Sequence, residues 1–325
     1  MMSKRTILVL LGAAVVGACE TSERASSPVE GDAPPADSIG PATYTERLLF
    51  VPLPNTDSPT ALFDFGARVD SAGVERSMRV WLARAGAWTP LDSAAWTMDP
   101  MREPWRLVPY GPLGLVVDDA GELETLIYRG DDAPLRLVAG ETIGEWSPAR
   151  SARLRIRRAE LVTGDGPRSG MLLDAHVRLP PDAGSRDPIR TVYLTDGRGA
   201  HVVVLDGVLD DGVAWLRDGA RDRSWRGVRI EPTAFRSAPT TPANDDGATA
   251  MNAADTADAG QDADGPPAAP RLPTAWRVVS DDGRVGGRLE LIGGSDTGGV
   301  YTVRGTIEVE GRDLAVEGVV RYGAA

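Results

Sequence analysis

An all-β, antiparallel body is the fold class this sequence predicts. Three observations carry the prediction. Apolar and polar residues alternate with a period of two in many short runs, the pattern of strands with one face buried. Asp-Gly pairs punctuate those runs at 165–166, 196–197, 206–207, 211–212, 218–219 and 282–283. Such pairs suit tight hairpin turns, whose central residues need positive φ. No run of twelve or more residues in the body keeps the 3.6-residue apolar stripe of a surface helix.

Taken in order, the first clear strand signal is Met78, Val80 and Leu82 alternating with Ser77, Arg79 and Trp81. Leu154 and Ile156 alternate with Arg153, Arg155 and Arg157. Met171, Leu173, Ala175, Val177 and Leu179 form an apolar face, with Asp174, His176 and Arg178 opposite. Near the end, Leu289 and Leu291, Tyr301 and Val303, Ile307 and Val309, and Leu314 and Val316 continue the pattern, and Glu310-Gly311-Arg312-Asp313 separates the last two pairs. A meander, sandwich or barrel satisfies these signals, as one large β domain or two in tandem. The eight Trp outnumber the four Phe. Trp buries a large area and keeps one N–H, so it suits a β core more often than a ligand contact.

The N-terminus reads as an export signal. Lys4 and Arg5 precede an apolar run from Thr6 to Val16, too short to span a bilayer, which needs about 20 apolar residues. Val16-Gly17-Ala18-Cys19 resembles the bacterial lipobox. That resemblance implies cleavage before Cys19, a diacylglyceryl thioether on its sulfur and an acylated amino group. Two or more chains give stable anchoring where one does not. Cys19 is the only cysteine, so the chain forms no internal disulfide. The expected location is extracytoplasmic, held to a bacterial membrane by lipid, with inner and outer membrane both open.

Residues 1–18 are thus the signal peptide and 19–42 the lipidated cysteine with a tether. Residues 20–42 hold five acids, one Arg and almost no large apolar side chain, a composition that cannot offset the entropy of ordering. A flexible segment of this length reaches roughly 25 Å on average. Residues 238–272, with six acids and one Arg, read as a second such segment, an acidic loop. Long insertions between strands are tolerated because closure entropy grows slowly with length. Residues 43–237 form the β-rich body, and 273–325 supply C-terminal strands that complete it. Together they are ample for a core. The formal net charge of −12 sits mostly in the two acidic segments, leaving the body mildly acidic and giving no support for nucleic-acid binding.

The strongest local motif is Gly219-Ala220-Arg221-Asp222-Arg223-Ser224-Trp225-Arg226-Gly227-Val228-Arg229. It resembles the Arg-Asp-His-Ser-Trp-Gly stretch of the AttH-like and carotenoid 1,2-hydratase (hydroxyneurosporene synthase) family. The resemblance extends over residues 190–325, with Ala200 to Gly207 like the strand before the motif and Trp276 to Gly323 like the closing meander. It implies lipocalin-like β domains and, in some members, hydration of a polyene. On that basis Asp222 is the candidate catalytic acid, and Arg221, Ser224, Trp225 and Arg229 are candidate ligand-binding residues. Two departures matter: Arg223 stands where the family has His, and Arg226 where it has Gly. Alkene hydration needs a proton donor and then a base, and Arg223 cannot give up its proton. A plain Arg-Asp ion pair with Trp225 packed beneath an arginine is the favoured alternative.

The other site types are absent or weak. His176 is expected on a solvated strand face, and His201, which shares a face with Val203 and Leu205, as a satisfied core histidine. Two histidines without supporting spacing do not make a zinc site. Asp262-Ala263-Asp264-Gly265 lacks the closing Glu of a calcium loop. No nucleophile elbow, phosphate loop or dinucleotide fingerprint occurs. The expectation is therefore no metal and no cofactor. The favoured function is non-catalytic binding of an apolar ligand of lipid or carotenoid type. The alternatives are an accessory subunit docking on a membrane protein complex, and a hydratase-type enzyme.

Overall fold

The computed structural model describes residues 41–53, 58–99, 106–119, 122–131, 133–179, 190–207, 211–237, 271–295 and 299–322. The expected signal peptide, Cys19, most of the tether, residues 238–270 and Trp105 lie outside the described residues. All described residues fall within one unit, Ile39–Ala325.

Eighteen strands and no helix make up the described structure. The first nine are β1 (Ala42–Pro52), β2 (Thr60–Val69), β3 (Val74–Arg84), β4 (Ala87–Met98), β5 (Leu113–Val117), β6 (Leu123–Tyr128), β7 (Leu135–Ala149), β8 (Ala152–Thr163) and β9 (Gly166–Leu179). The second nine are β10 (Arg190–Thr195), β11 (Ala200–Asp206), β12 (Val213–Asp218), β13 (Arg221–Arg226), β14 (Val228–Ser237), β15 (Arg271–Ser280), β16 (Val285–Gly294), β17 (Val300–Val309) and β18 (Arg312–Arg321). β1 and β15 begin slightly inside the segments read as tether and loop, because Ala42 and Leu272 are buried.

The strands form two curled antiparallel sheets with one topology repeated. The first runs β4-β3-β2-β1-β9-β8-β7-β6-β5, the second β13-β12-β11-β10-β18-β17-β16-β15-β14. Each is a meander whose first strand returns to pair with its last, β1 with β9 and β10 with β18. β14 and β15, on either side of residues 238–270, are neighbours in the second sheet. Asp-Gly pairs lie at the β8–β9, β10–β11, β12–β13 and β15–β16 connections. At β17–β18, Glu310 and Gly311 both take positive φ, 51° and 80°, as the tight hairpin requires. In the first curl, Trp96 on β4 stacks on Tyr110, just before β5, at 4.0 Å between centroids. This contact links the sheet's two edge strands.

Three apolar layers result. Leu48, Phe50, Phe63, Met78 and Leu126 fill the first curl. Val192, Val204, Trp276, Leu289 and Val303 fill the second. A third layer lies between the sheets, where Leu49, Leu62, Trp81, Ile156 and Leu173 meet Tyr193, Val203, Trp215 and Val319. The central strands are therefore buried on both faces, which is why Val202–Leu205 reads as an unbroken apolar run rather than an alternation.

Double burial also revises one expectation. The apolar face Met171–Leu179 and the pair Leu154, Ile156 belong to the layer between sheets. Of the residues opposite them, Arg155, Asp174 and His176 face the inside of the first curl, while Arg178 at the strand's end is exposed. Asp174 is only 3 % exposed, and His176, expected to be solvated, is largely shielded and lies 3.7 Å from Glu46.

Candidate functional site

The motif residues sit on edge strand β13 and the start of β14. Trp225 points inward and packs in the second curl's core, while Arg221, Asp222, Arg223, Ser224 and Arg226 are exposed. Register pairs Asp222 with Arg217 and Ser224 with Trp215 on β12. Asp222 Oδ1 accepts the Trp215 Nε1–H at 3.0 Å, and Oδ2 takes the Arg217 guanidinium at 2.5 Å. The side chain of Asp222 is 43 % exposed. Trp215 is wholly buried, with its ring 6.0 Å from that of Trp146 on β7. Asp222 thus acts as an acceptor that fixes the edge of an inter-sheet tryptophan. Arg223 pairs with Glu310 at 2.6 Å and Arg229 with Asp281 at 2.6 Å. Arg226 donates to the Pro148 carbonyl of β7 at 3.4 Å. Among the described residues, no arginine lies over Trp225. The guanidinium–ring contacts among the described residues include Arg321 over Trp81 and Arg190 over Tyr322. The structure therefore does not gather Arg221, Asp222, Ser224, Trp225 and Arg229 around one cavity.

His201 is 4 % exposed, and its Nδ1 lies 3.1 Å from the Tyr193 hydroxyl. Burial lowers the imidazole pKa and raises that of the phenol, so the pair is neutral.

Two polar clusters escaped the sequence reading. Inside the first curl, the Arg155 Nη2 bridges Asp174 at 2.7 Å and Glu122 at 2.5 Å. Burial raises the pKa of Glu46, which lies beside His176 there, and the charge of Asp174 adds to that shift. The signal for this cluster was pairwise: Arg153 lies opposite His176 and Arg155 opposite Asp174 in the β8–β9 register. Between the sheets, Asp64 pairs with Arg47 at 3.2 Å and Arg321 at 3.3 Å, and Arg47 also donates to the Thr191 hydroxyl. No spacing in the sequence joins these four residues, which come from β1, β2, β10 and β18.

A cleft of about 990 Å3 lies between the two curls. One wall is the end of β1 with Val51, Pro52 and Leu53, joined by the β3–β4 hairpin. The floor is the outer face of β16–β18. Leu53 and Ile292, 39 % and 42 % exposed, are among the few large apolar side chains left uncovered among the described residues, and both line the cleft. The hairpin is held to the floor by the Trp88 Nε1–H donating to Thr302 Oγ1 at 2.9 Å. Gly86 lies directly on Gly293, where a Cβ would stand 2.3 Å from the Gly86 carbonyl oxygen. Trp215, Trp225 and Trp276 are packed in apolar layers, in keeping with the preference of Trp for a β core.

No protein-family model and no curated protein sequence matches the chain. Solved structures do. A protein from Nitrosomonas europaea assigned as AttH superposes with TM-score 0.52 at 10 % identity, covering 88 % of this chain and 93 % of that one. Kievitone hydratase from Nectria haematococca gives TM-score 0.50 at 8 % identity, covering 87 % and 90 %. The chain shares its fold with AttH and kievitone hydratase. At these identities the likeness is one of fold, and activity has to be argued from the residues.

Proposed function

We propose that this protein is a membrane-anchored, extracytoplasmic lipoprotein whose lipocalin-like body binds an apolar small molecule in the cleft between its two curled sheets, without catalysis. The cleft carries the reading. It lies at the upper end of the roughly 300–1,000 Å3 typical of small-molecule sites, and Leu53 and Ile292 are exposed along it. The interiors of both curls are filled by side chains, so the ligand belongs between the sheets. Asp222, the residue a hydratase reading relies on, is committed to Trp215 and Arg217.

The test is gentle purification of the native protein, with mass spectrometry of everything that co-elutes. The expected result is a stoichiometric apolar molecule, whose occupancy falls about tenfold or more in Ile292→Asp, since a buried Ile contributes roughly 1.5–3 kcal/mol. Stoichiometric membrane proteins with no small molecule would instead make it an assembly subunit. Anchoring rests on Cys19, and Cys19→Ala is expected to move the protein from the membrane to the soluble fraction. Membrane retention by that variant would reject the lipid anchor.

A further inference from the structure

The cleft has a chemical polarity that narrows its ligand. Its floor alternates in charge across the strands: β-sheet register aligns Glu290, Arg304 and Glu317 in one cross-strand row. Arg304 pairs with Glu317 at 2.7 Å, and Arg288 with Glu290 at 3.5 Å. These pairs use both guanidiniums that line the cleft. One lining carboxylate is left over. Asp196, in the β10–β11 turn, has no ion-pair partner among the described residues. Its Oδ1 accepts the backbone N–H groups of Arg198, Gly199 and Ala200 at 2.8, 3.0 and 2.9 Å, so the side chain is held in place. His201 nearby does not neutralise it, because burial lowers the imidazole pKa more than Asp196 raises it.

We propose that the cleft takes an amphiphile with a protonated amine head. Its chain lies along Leu53 and Ile292, and its ammonium group is drawn to Asp196. This inference rests on the ligand reading above and adds the head-group chemistry. A carboxylate head would meet three lining carboxylates against two arginines that are already paired. A hydroxyl head could donate one hydrogen bond to Asp196 but would bring no charge to pair with it. Charge-assisted hydrogen bonds are about twice as strong as neutral ones, but an exposed pair contributes only modestly. The discrimination expected is therefore several-fold rather than a thousandfold.

The experiment titrates the full-length protein in nanodiscs, with empty nanodiscs subtracted, against octylammonium, octanol and octanoate by calorimetry at low salt. Octylammonium is expected to bind roughly three- to tenfold tighter than octanol, and octanoate more weakly than octanol. Asp196→Asn keeps an Oδ1 acceptor for the turn and removes only the charge. It should bring octylammonium to within about twofold of octanol, leaving octanol binding unchanged. Octanoate binding as tightly as octylammonium, or an ammonium preference that survives Asp196→Asn, overturns the head-group inference while the cleft reading stands. If none of the three binds, or if Ile292→Asp leaves octanol binding intact, the cleft reading falls with it.

Discussion

Asp222 illustrates how a side chain's neighbours decide its role. In sequence it stands between two arginines inside a family-like motif. In the fold its bonds go across the strand pair, to the Trp215 indole and the Arg217 guanidinium. Trp215 is fully buried, so its N–H depends on that acceptor. Asp222→Asn, which keeps an acceptor, is expected to cost less than about 1 kcal/mol, in the range of exposed ion pairs. Asp222→Ala leaves the buried indole N–H unsatisfied, and is expected to cost about 1–3 kcal/mol. Urea denaturation of the two variants checks this. Equal effects would mean that the carboxamide cannot replace the carboxylate and that its charge carries the role. The same dependence on neighbours explains His176, whose strand face was legible but whose environment was not: the opposing Glu46 belongs to a strand far away in sequence.

At the level of elements, the β3–β4 hairpin is the piece that shapes the cleft. It reaches from the first sheet to the second and rests on β16 where Gly86 meets Gly293. Backbone on both sides of that contact leaves no flexible side chain to yield. Gly293→Ala is therefore expected to push the hairpin away, at about 1–3 kcal/mol, the usual cost of overpacking. The Trp88–Thr302 hydrogen bond should break with it. A lowered denaturation midpoint with red-shifted Trp emission is the expected readout, and an unchanged midpoint would show that the contact is slack. Many strands and hairpin turns were readable beforehand, because alternation and Asp-Gly chemistry are local. β10 and β11 were harder, since Val192–Leu194 and Val202–Leu205 are buried on both faces and lose the alternating signature.

Across the whole molecule, the two sheets are joined by an apolar layer that holds an ionic cluster. Asp64 on the first sheet holds Arg47 of its own sheet and Arg321 of the other. Burial alone would raise the Asp64 pKa, but the two guanidiniums outweigh it and hold the carboxyl below its ordinary 3.8. Its contribution to stability is therefore present above the unfolded-state value and lost as pH falls through the lower folded one. Asp64→Asn leaves two guanidiniums facing each other with little solvent, and is expected to cost about 3–5 kcal/mol at neutral pH. The gap between wild type and variant should close as the pH is taken below the folded-state value. A gap that is independent of pH would show that the carboxylate's charge is not what joins the sheets.

By itself the sequence determined the all-β class, the placing of most of the hairpin turns it marked and the apolar faces of strands such as β3, β9 and β16–β18, because each depends on neighbours two to four positions away. Only the tertiary structure decided that one topology occurs twice and that the two curls pack face to face. Tertiary structure also decided that the face opposite Met171–Leu179 turns inward. It placed the cleft between the sheets, and it left Asp222 as an acceptor for Trp215. The physical reason is shared: burial and charge pairing depend on which strands become neighbours. That is set by closures such as β1 with β9 and β10 with β18, which join residues more than a hundred positions apart.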